Sequence, residues 1–327
     1  MVRVSKILVT GGSGFIGNNL IQKLILDGHE VLNLDFNEPA EKKYFKYWRN
    51  VDINCFDVLK QSILEFGPDY IVHLAARTDL DGISLTDYRT NVSGVENMLR
   101  ISNELTSLKK IIITSSMLVC HGGYLPKDQF DYAPTTIYGE SKVVTEEIVW
   151  KNKPSCDWAI IRPTSIWGPW FGTPYKNFFD MILSKKYFHI GNRGCTKTYG
   201  YVGNSIYQIN KILFCKTENE RNKVFYIGDN PPINIEDWGN EIASEIGFKI
   251  LKMPFFLIKI AAIVGDGCKR INISFPMSSF RLNNMTTNNI VDLKNTYEIA
   301  PNLPYTRKEG IKSTLNWIKH NDLHKSQ

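Results

Sequence analysis

No two of the six cysteines (Cys55, Cys120, Cys156, Cys195, Cys215 and Cys268) stand in a Cys-x-x-Cys pair, and none has a histidine at ligand spacing. That excludes a zinc finger or a disulfide frame and implies reduced thiols, no metal and a cytoplasmic protein. A long apolar run is also missing. The longest, Met253–Val264, carries Pro254 and Lys259 and is too short to cross a bilayer, so it reads as a buried or amphipathic helix and no membrane partner is expected. There is no dense Lys/Arg block, which argues against nucleic acid, and no repeat or low-complexity segment. The strand-like Val4–Thr10 at the start leaves no room for a signal peptide. What remains is an ordinary globular composition over 327 residues, 43% hydrophobic and 22% charged, with a mild net charge of +6 that suits an anionic ligand.

The first half alternates apolar strands with helical periodicity, the pattern of a parallel α/β sheet. Strands are expected at Ile7–Thr10, Glu30–Asp35, Tyr70–Leu74, Lys110–Ser115 and Trp158–Ile161, and helices at Phe15–Leu26, Leu85–Leu105 and Ile137–Asn152. After Arg162-Pro163 the chain turns loop-rich and aromatic, with further helices expected at Tyr201–Leu213 and Ile235–Ile246. The expected fold is α/β, a Rossmann-type doubly wound parallel sheet with a smaller, intertwined C-terminal substrate-binding region. Residues 1–165 would form the dinucleotide-binding domain, with later contributions from about 196–230, and residues 166–327 mainly the substrate-binding region.

Gly11, Gly14 and Gly17 fall between the first strand and its helix, where glycine allows a tight turn and lets backbone N–H groups reach a pyrophosphate at the helix N-terminus. Asp35 closes the second strand at about the ~20-residue interval of a dinucleotide site. Its carboxylate can accept the adenosine ribose hydroxyls and would repel a 2′-phosphate, which favours NAD over NADP. Far downstream, Tyr138 and Lys142 are four residues apart on an expected helix and so share a face. A cation beside a phenol favours the phenolate, making Tyr138 a usable base.

With these motifs in order the chain resembles the extended short-chain dehydrogenase/reductase family, in its nucleotide-sugar epimerase and dehydratase branch. Thr10-Gly-Gly-Ser-Gly-Phe-Ile-Gly17 matches the family's cofactor loop, including Phe15 and Ile16. Asp57-Val58 resembles its adenine-contacting pair, and His73-Leu74-Ala75-Ala76 the segment that passes the cofactor phosphates and ribose. Asn91-Val-Ser-Gly94 resembles its helix-borne asparagine motif, and Thr114-Ser-Ser116, Tyr138 with Lys142, and Arg162-Pro163 complete the set. The resemblance implies Tyr138, Lys142 and Ser116 as the catalytic group, with Ser115 as the alternative hydroxyl. It implies NAD contacts from Tyr138, Lys142 and Asn91, with Asn91 also fixing helix geometry close by. It also implies a homodimer built on the helices around Leu85–Leu105 and Ile137–Asn152, to which Val143, Glu147 and Trp150 can contribute.

Departures from the family pattern narrow the chemistry. Dehydratases follow the active-site hydroxyl with Asp-Glu; here Met117-Leu118 stand there, which disfavours dehydration. Cys120-His121 replace the usual Tyr-Gly, making His121 a candidate substrate contact and Cys120 an extra acid only if exposed and of depressed pKa. Asn177, Lys197 and Arg281 are the remaining candidate substrate contacts, the two cations for a diphosphate. Trp167, Trp170, Phe171 and Tyr175 are candidates to stack on a base or sugar or, equally, to build a core. The reading that follows is an NAD-dependent epimerase of a nucleotide diphosphate sugar. The alternatives are a ketoreductase or dehydrogenase on a keto sugar or other alcohol, and a non-catalytic NAD-sensing regulator.

Overall fold

A computed structural model describes residues 4–191, 193–216, 223–270, 273, 275 and 277–325. The first half runs β1 (Lys6–Thr10), α1 (Phe15–Leu26), β2 (Glu30–Asp35), β3 (Trp48–Asn50), α2 (Phe56–Phe66), β4 (Tyr70–His73), α3 (Arg89–Ser102), β5 (Lys110–Thr114), α4 (Ile137–Lys151) and β6 (Asp157–Pro163). The second half runs β7 (Ser165–Trp167), α5 (Tyr175–Leu183), β8 (Phe188–Ile190), β9 (Thr196–Lys197), β10 (Tyr199–Tyr201), α6 (Val202–Phe214) and β11 (Val224–Ile227). It ends with β12 (Ile233–Asn234), α7 (Ile235–Ser244), β13 (Leu251–Met253), α8 (Phe255–Arg270), α9 (Ser279–Thr286), α10 (Lys294–Ile299) and α11 (Arg307–Lys325).

Seven strands form one sheet in the order β11-β6-β5-β4-β1-β2-β3, and every pairing in it is parallel. A parallel sheet buried on both faces needs strands that are apolar throughout. Alternation then only decides which core a residue enters. Ile7, Val9, Ile112 and Ile161 join the core under α1 and α6, while Leu8, Ile111, Ile113 and Ile160 join the one under α2 and α3. Chain order reverses between β1 and β4, so their carboxyl ends diverge and leave the crevice in which such sheets bind ligands.

Two strands of this sheet, β3 and β11, lie outside the sequence expectation, as do the short strands β7–β10, β12 and β13. β11 sits well past residue 165 and pairs with β6, so the sheet draws on the stretch 196–230. The aromatic residues after Pro163 are largely structural. Trp167 and Phe171 are buried in the core, with Trp167 packed on Phe179, Tyr201 and Trp238. Trp150 packs between Phe130 and Trp158, so it is engaged within its own chain.

Candidate active site

The glycine turn rests directly on the end of β4. Gly11 has φ +71°, and a Cβ there would lie 2.6 Å from the Ala75 nitrogen. Glycine is therefore required both for its conformation and for the approach of Leu74–Ala75. Thr10 ties the two strand ends together: its hydroxyl is 2.7 Å from Nδ1 of His73 and accepts from the Ala75 N–H at 3.3 Å. Buried and close to the Lys142 cation, His73 is pushed down to about 3 and stays neutral, burial being the larger cause.

α1 begins at Phe15 with Gly14 as its N-cap and no side chain capping it, so the first-turn amides point at the crevice uncompensated. That is what a pyrophosphate needs. Gly17 closes the turn, since a Cβ there would sit 2.1 Å from the Gly11 carbonyl oxygen. Gly17→Ala is therefore expected to displace the turn and cost most of the NAD affinity, measurable by titration of the purified variant. Wild-type affinity would show that the close approach is not needed.

Asp35 ends β2 buried, accepting from the Ser13 and Asn37 N–H groups at 3.0 and 2.9 Å. Burial pushes its carboxyl up, and the backbone bonds oppose this. The acid at this strand end, the bare helix start and the close-packed glycines all fit a dinucleotide without a 2′-phosphate.

Two cofactor expectations need correcting. Asp57 and Val58 lie in the first turn of α2 with both side chains exposed, Val58 at 52%. The acid–apolar pair nearest the carboxyl end of β3 is Asp52-Ile53, one residue past the strand, with the Val51 N–H bonded to the Asp35 carbonyl at 3.3 Å and Ile53 buried against Gly94. Asn91 also leaves no polar atom for a cofactor. Its Oδ1 accepts from the Arg77 N–H at 2.8 Å, and its Nδ2 donates to the Arg77 carbonyl and the Ser141 hydroxyl, both at 3.0 Å. It pins the segment after β4 to α4.

α4 starts at Thr136, whose hydroxyl accepts from the Gly139 N–H at 3.0 Å. A Cβ at Gly139 would lie 2.3 Å from the Leu118 carbonyl oxygen, so glycine lets the helix close onto the turn after β5. That contact brings Ser116 within hydrogen-bonding reach of Tyr138, and the Ser116 hydroxyl also accepts from the Leu118 N–H at 3.1 Å. The adjacent Ser115 hydroxyl is buried without a partner among the described residues. Lys142 donates to the Thr114 carbonyl at 2.9 Å, with its ammonium 6.0 Å from the Tyr138 ring centroid.

Burial dominates both ionisations. Tyr138 is pushed up to about 12, opposed by the neighbouring Ser116 hydroxyl, and Lys142 is brought down to about 8, opposed by Glu146. The expected lowering of Tyr138 by Lys142 is not realised in this geometry, because desolvation of the phenolate outweighs a cation that is itself committed to Thr114.

A cavity of about 1010 Å³ is lined by Met117 and Leu118 of the turn after Ser116, by Ser165, and by Lys197 and Arg281. Tyr175 lines it and donates to the Ser165 hydroxyl at 2.8 Å. Lys197 donates to the Asn284 carbonyl at 2.6 Å, and burial lowers its pKa. Arg281 is exposed on α9 at the cavity wall, and His121 also faces the space. Asn177 does not: it is exposed on α5, while its neighbours Tyr175 and Phe178 line the cavity. Cys120 is buried, raised by desolvation and donating to the Asp131 carbonyl at 3.3 Å, the opposite of what an acid catalyst needs.

The model of the NAD dependent epimerase/dehydratase family matches residues 7–200, which span the glycine turn, Ser116, Tyr138 and Lys142. The chain belongs to that family. This family member is 28% identical over 321 residues to the N-acetyl-alpha-D-glucosaminyl-diphospho-ditrans,octacis-undecaprenol 4-epimerase of Escherichia coli O157:H7, covering 95% of this chain and 94% of that one. It is 28% identical to a 3 beta-hydroxysteroid dehydrogenase/Delta 5-->4-isomerase of Mycobacterium tuberculosis, covering 76% of this chain and 72% of that one. Its fold matches the UDP-glucose 4-epimerase of Thermotoga maritima solved with UDP-glucose, with a TM-score of 0.73, 20% identity and coverage of 97% and 99%. It also matches the Bordetella bronchiseptica enzyme WbmG in complex with NAD and UDP, with a TM-score of 0.73, 17% identity and coverage of 98% and 95%. The family is NAD-dependent, and the protein is an NAD-dependent enzyme of the short-chain dehydrogenase/reductase type.

Proposed function

We propose that the protein epimerises a sugar carried on a diphosphate, a nucleotide diphosphate sugar in the first instance, by transient oxidation of a ring hydroxyl. The observation that carries this reading is a cavity whose wall holds both Met117 and Leu118, the residues that directly follow Ser116, and the two cations Lys197 and Arg281. Ser116 and Tyr138 stand next to each other behind that turn. A sugar fits between the turn and the cations, with its diphosphate on the cations.

The glycine turn, Asp35, Leu74–Ala76 and the α1 N-terminus would hold NAD, which when bound supplies reversible two-electron acceptance at the carbon whose hydroxyl becomes a ketone. The Ser116 hydroxyl would donate to the sugar oxygen and hold its position. Tyr138 would accept the hydroxyl proton on oxidation and return it on reduction. Burial keeps the phenol protonated, the form that reprotonates a keto oxygen, and Lys142, held by the Thr114 carbonyl, would position the cofactor beside it. Met117-Leu118 offer no acid or base for elimination of water, so the keto sugar would be reduced again on its other face, with no net redox change. A homodimer through α3 and α4 forms part of this reading.

The hydroxysteroid relative and the apolar cavity walls favour a second reading, a one-way ketoreductase. Native mass spectrometry for carried NAD(H), followed by NMR of UDP-glucose and UDP-N-acetylglucosamine with the protein, decides between them. Appearance of the epimer without change in nicotinamide absorbance is the expected result. A stoichiometric absorbance change would establish the reductase, and neither signal would sink the epimerase reading for these sugars. The UDP sugars test the nucleotide carrier; the E. coli relative acts on an undecaprenol-linked sugar, so the same diphosphate chemistry extends to a lipid carrier.

A further inference from the structure

α8 is apolar over most of its circumference, broken along one edge by Lys259 and Asp266, and a stripe that wide is expected of a helix enclosed by protein. Only half of it is enclosed. Ile258 and Ala262 pack inward with Ile190, Met277 and Leu282. The opposite stripe, Phe256, Leu257, Ile260, Ile263 and Val264, is exposed, with Phe256 at 62% and Ile263 at 60%. These positions repeat at helical spacing, so they form one continuous face.

The rim of that face is basic. Lys259 is exposed on its flank, and Lys249 and Arg193 are exposed close by in the chain or the fold, with the Arg193 guanidinium 4.0 Å from the Phe255 ring centroid, while the exposed Lys252 pairs with Glu236 at 2.9 Å. Across 249–270 the sequence carries Lys249, Lys252, Lys259, Lys269 and Arg270 against the single acid Asp266. The inner side of α8 reaches the cavity at Gly265, where a Cβ would lie 1.7 Å from the Met277 carbonyl oxygen, so Met277 is pressed against the helix. Ile273 and Phe275, beyond α8, are exposed and line the cavity together with Arg281.

We propose that the outer face of α8 docks on an anionic phospholipid bilayer and sets the cavity mouth at the headgroup layer. A helix lying in the interface needs an apolar face and flanking cations and does not need to span. None of the described helices is long and apolar enough to cross a membrane. A second copy is the less fitting occupant, because a basic rim repels itself across a symmetric interface and the family's expected dimer helices are α3 and α4. The consequence, which rests on the diphosphate-sugar reading, is a substrate whose diphosphate carries a lipid. Its sugar would reach Ser116 and Tyr138 while the lipid runs over Phe275 and Ile273 into the bilayer.

The test is flotation of the full chain with vesicles of equal parts phosphatidylglycerol and phosphatidylcholine, and with phosphatidylcholine alone. The wild type is expected to float with the anionic vesicles, and less at high salt. The double variant I260E/I263E is expected to lose at least about tenfold in partition while keeping the wild-type melting temperature and NAD binding. Wild type that stays off both vesicle types, or a double variant that binds as well as wild type, overturns the proposal. So does a wild-type dimer that the double variant converts to monomer with no vesicle binding in either, which would assign the face to self-association. The readout is partition rather than turnover, so failure of the epimerase reading leaves the docking result intact, and the converse holds.

Discussion

Tyr138→Phe is expected to lower kcat by at least about a hundredfold while leaving NAD affinity and the melting temperature near wild type. The substitution removes one oxygen and keeps the ring, which packs 5.9 Å from the Tyr88 ring in the wall of the site. It leaves the glycine turn, Asp35 and the start of α1 untouched, so dinucleotide binding has no reason to change. It removes the atom that Ser116 reaches and the group that would carry the proton. The effect should fall on kcat, because the phenol would act on the reacting oxygen while the diphosphate would be held at Lys197 and Arg281. A protein that senses NAD without turning over substrate would show no such loss. Wild-type turnover in this variant would remove Tyr138 from the mechanism and return the sensor reading to the front.

The parallel sheet and the dinucleotide turn are legible in the sequence because each is a local pattern: apolar runs separated by helical periodicity, and three glycines between a strand and a helix. Tyr138 and Lys142 are legible because the helix fixes their relation within one turn. Features that depend on where an element starts are harder. Asp52-Ile53 and Asp57-Val58 are both an acid followed by a β-branched residue, and only the end of β3 and the start of α2 tell them apart. A three-residue strand carries too little periodicity to mark that end. Asn91 is visible as a residue, but its three bonds to Arg77 and Ser141 come from loops and a helix meeting in space.

α8 shows the other limit. Its sequence reads as a buried or amphipathic helix, yet the apolar residues exceed what one protein face can cover. Which half is left outside depends on how α9 and the segment around Met277 dock.

The largest expected effect on stability comes from a pair that no sequence period connects. Arg162 on β6 and Glu146 on α4 are 1% and 0% exposed, and they form a two-pronged ion pair at 2.8 and 2.7 Å. Arg162 also donates to the Gln129 carbonyl at 2.7 Å and the Tyr226 hydroxyl at 3.0 Å, and Tyr132 donates to Glu146 at 3.0 Å. Four of its five N–H donors are engaged, and Glu146 above all holds the guanidinium above its ordinary pKa range despite its burial.

Glu146→Ala leaves that cation buried beside an emptied site and is expected to cost about 3–5 kcal/mol in urea unfolding. Glu146→Leu with Arg162→Met should recover most of the loss, because a buried pair contributes little net stability once both charges are gone. If the double variant were no more stable than Glu146→Ala, the cost would lie in packing and not in the stranded charge.

Glu146 stands one turn beyond Lys142 and is what opposes the fall in its pKa. The milder Glu146→Gln should therefore move the Lys142 ionisation below about 8 and shift the alkaline limb of kcat to lower pH. An unmoved limb in a folded Glu146→Gln protein would mean that the pair anchors α4 to the sheet without tuning the lysine. A shifted limb would tie the stability of the β6–α4 junction to proton transfer at Tyr138 through Lys142.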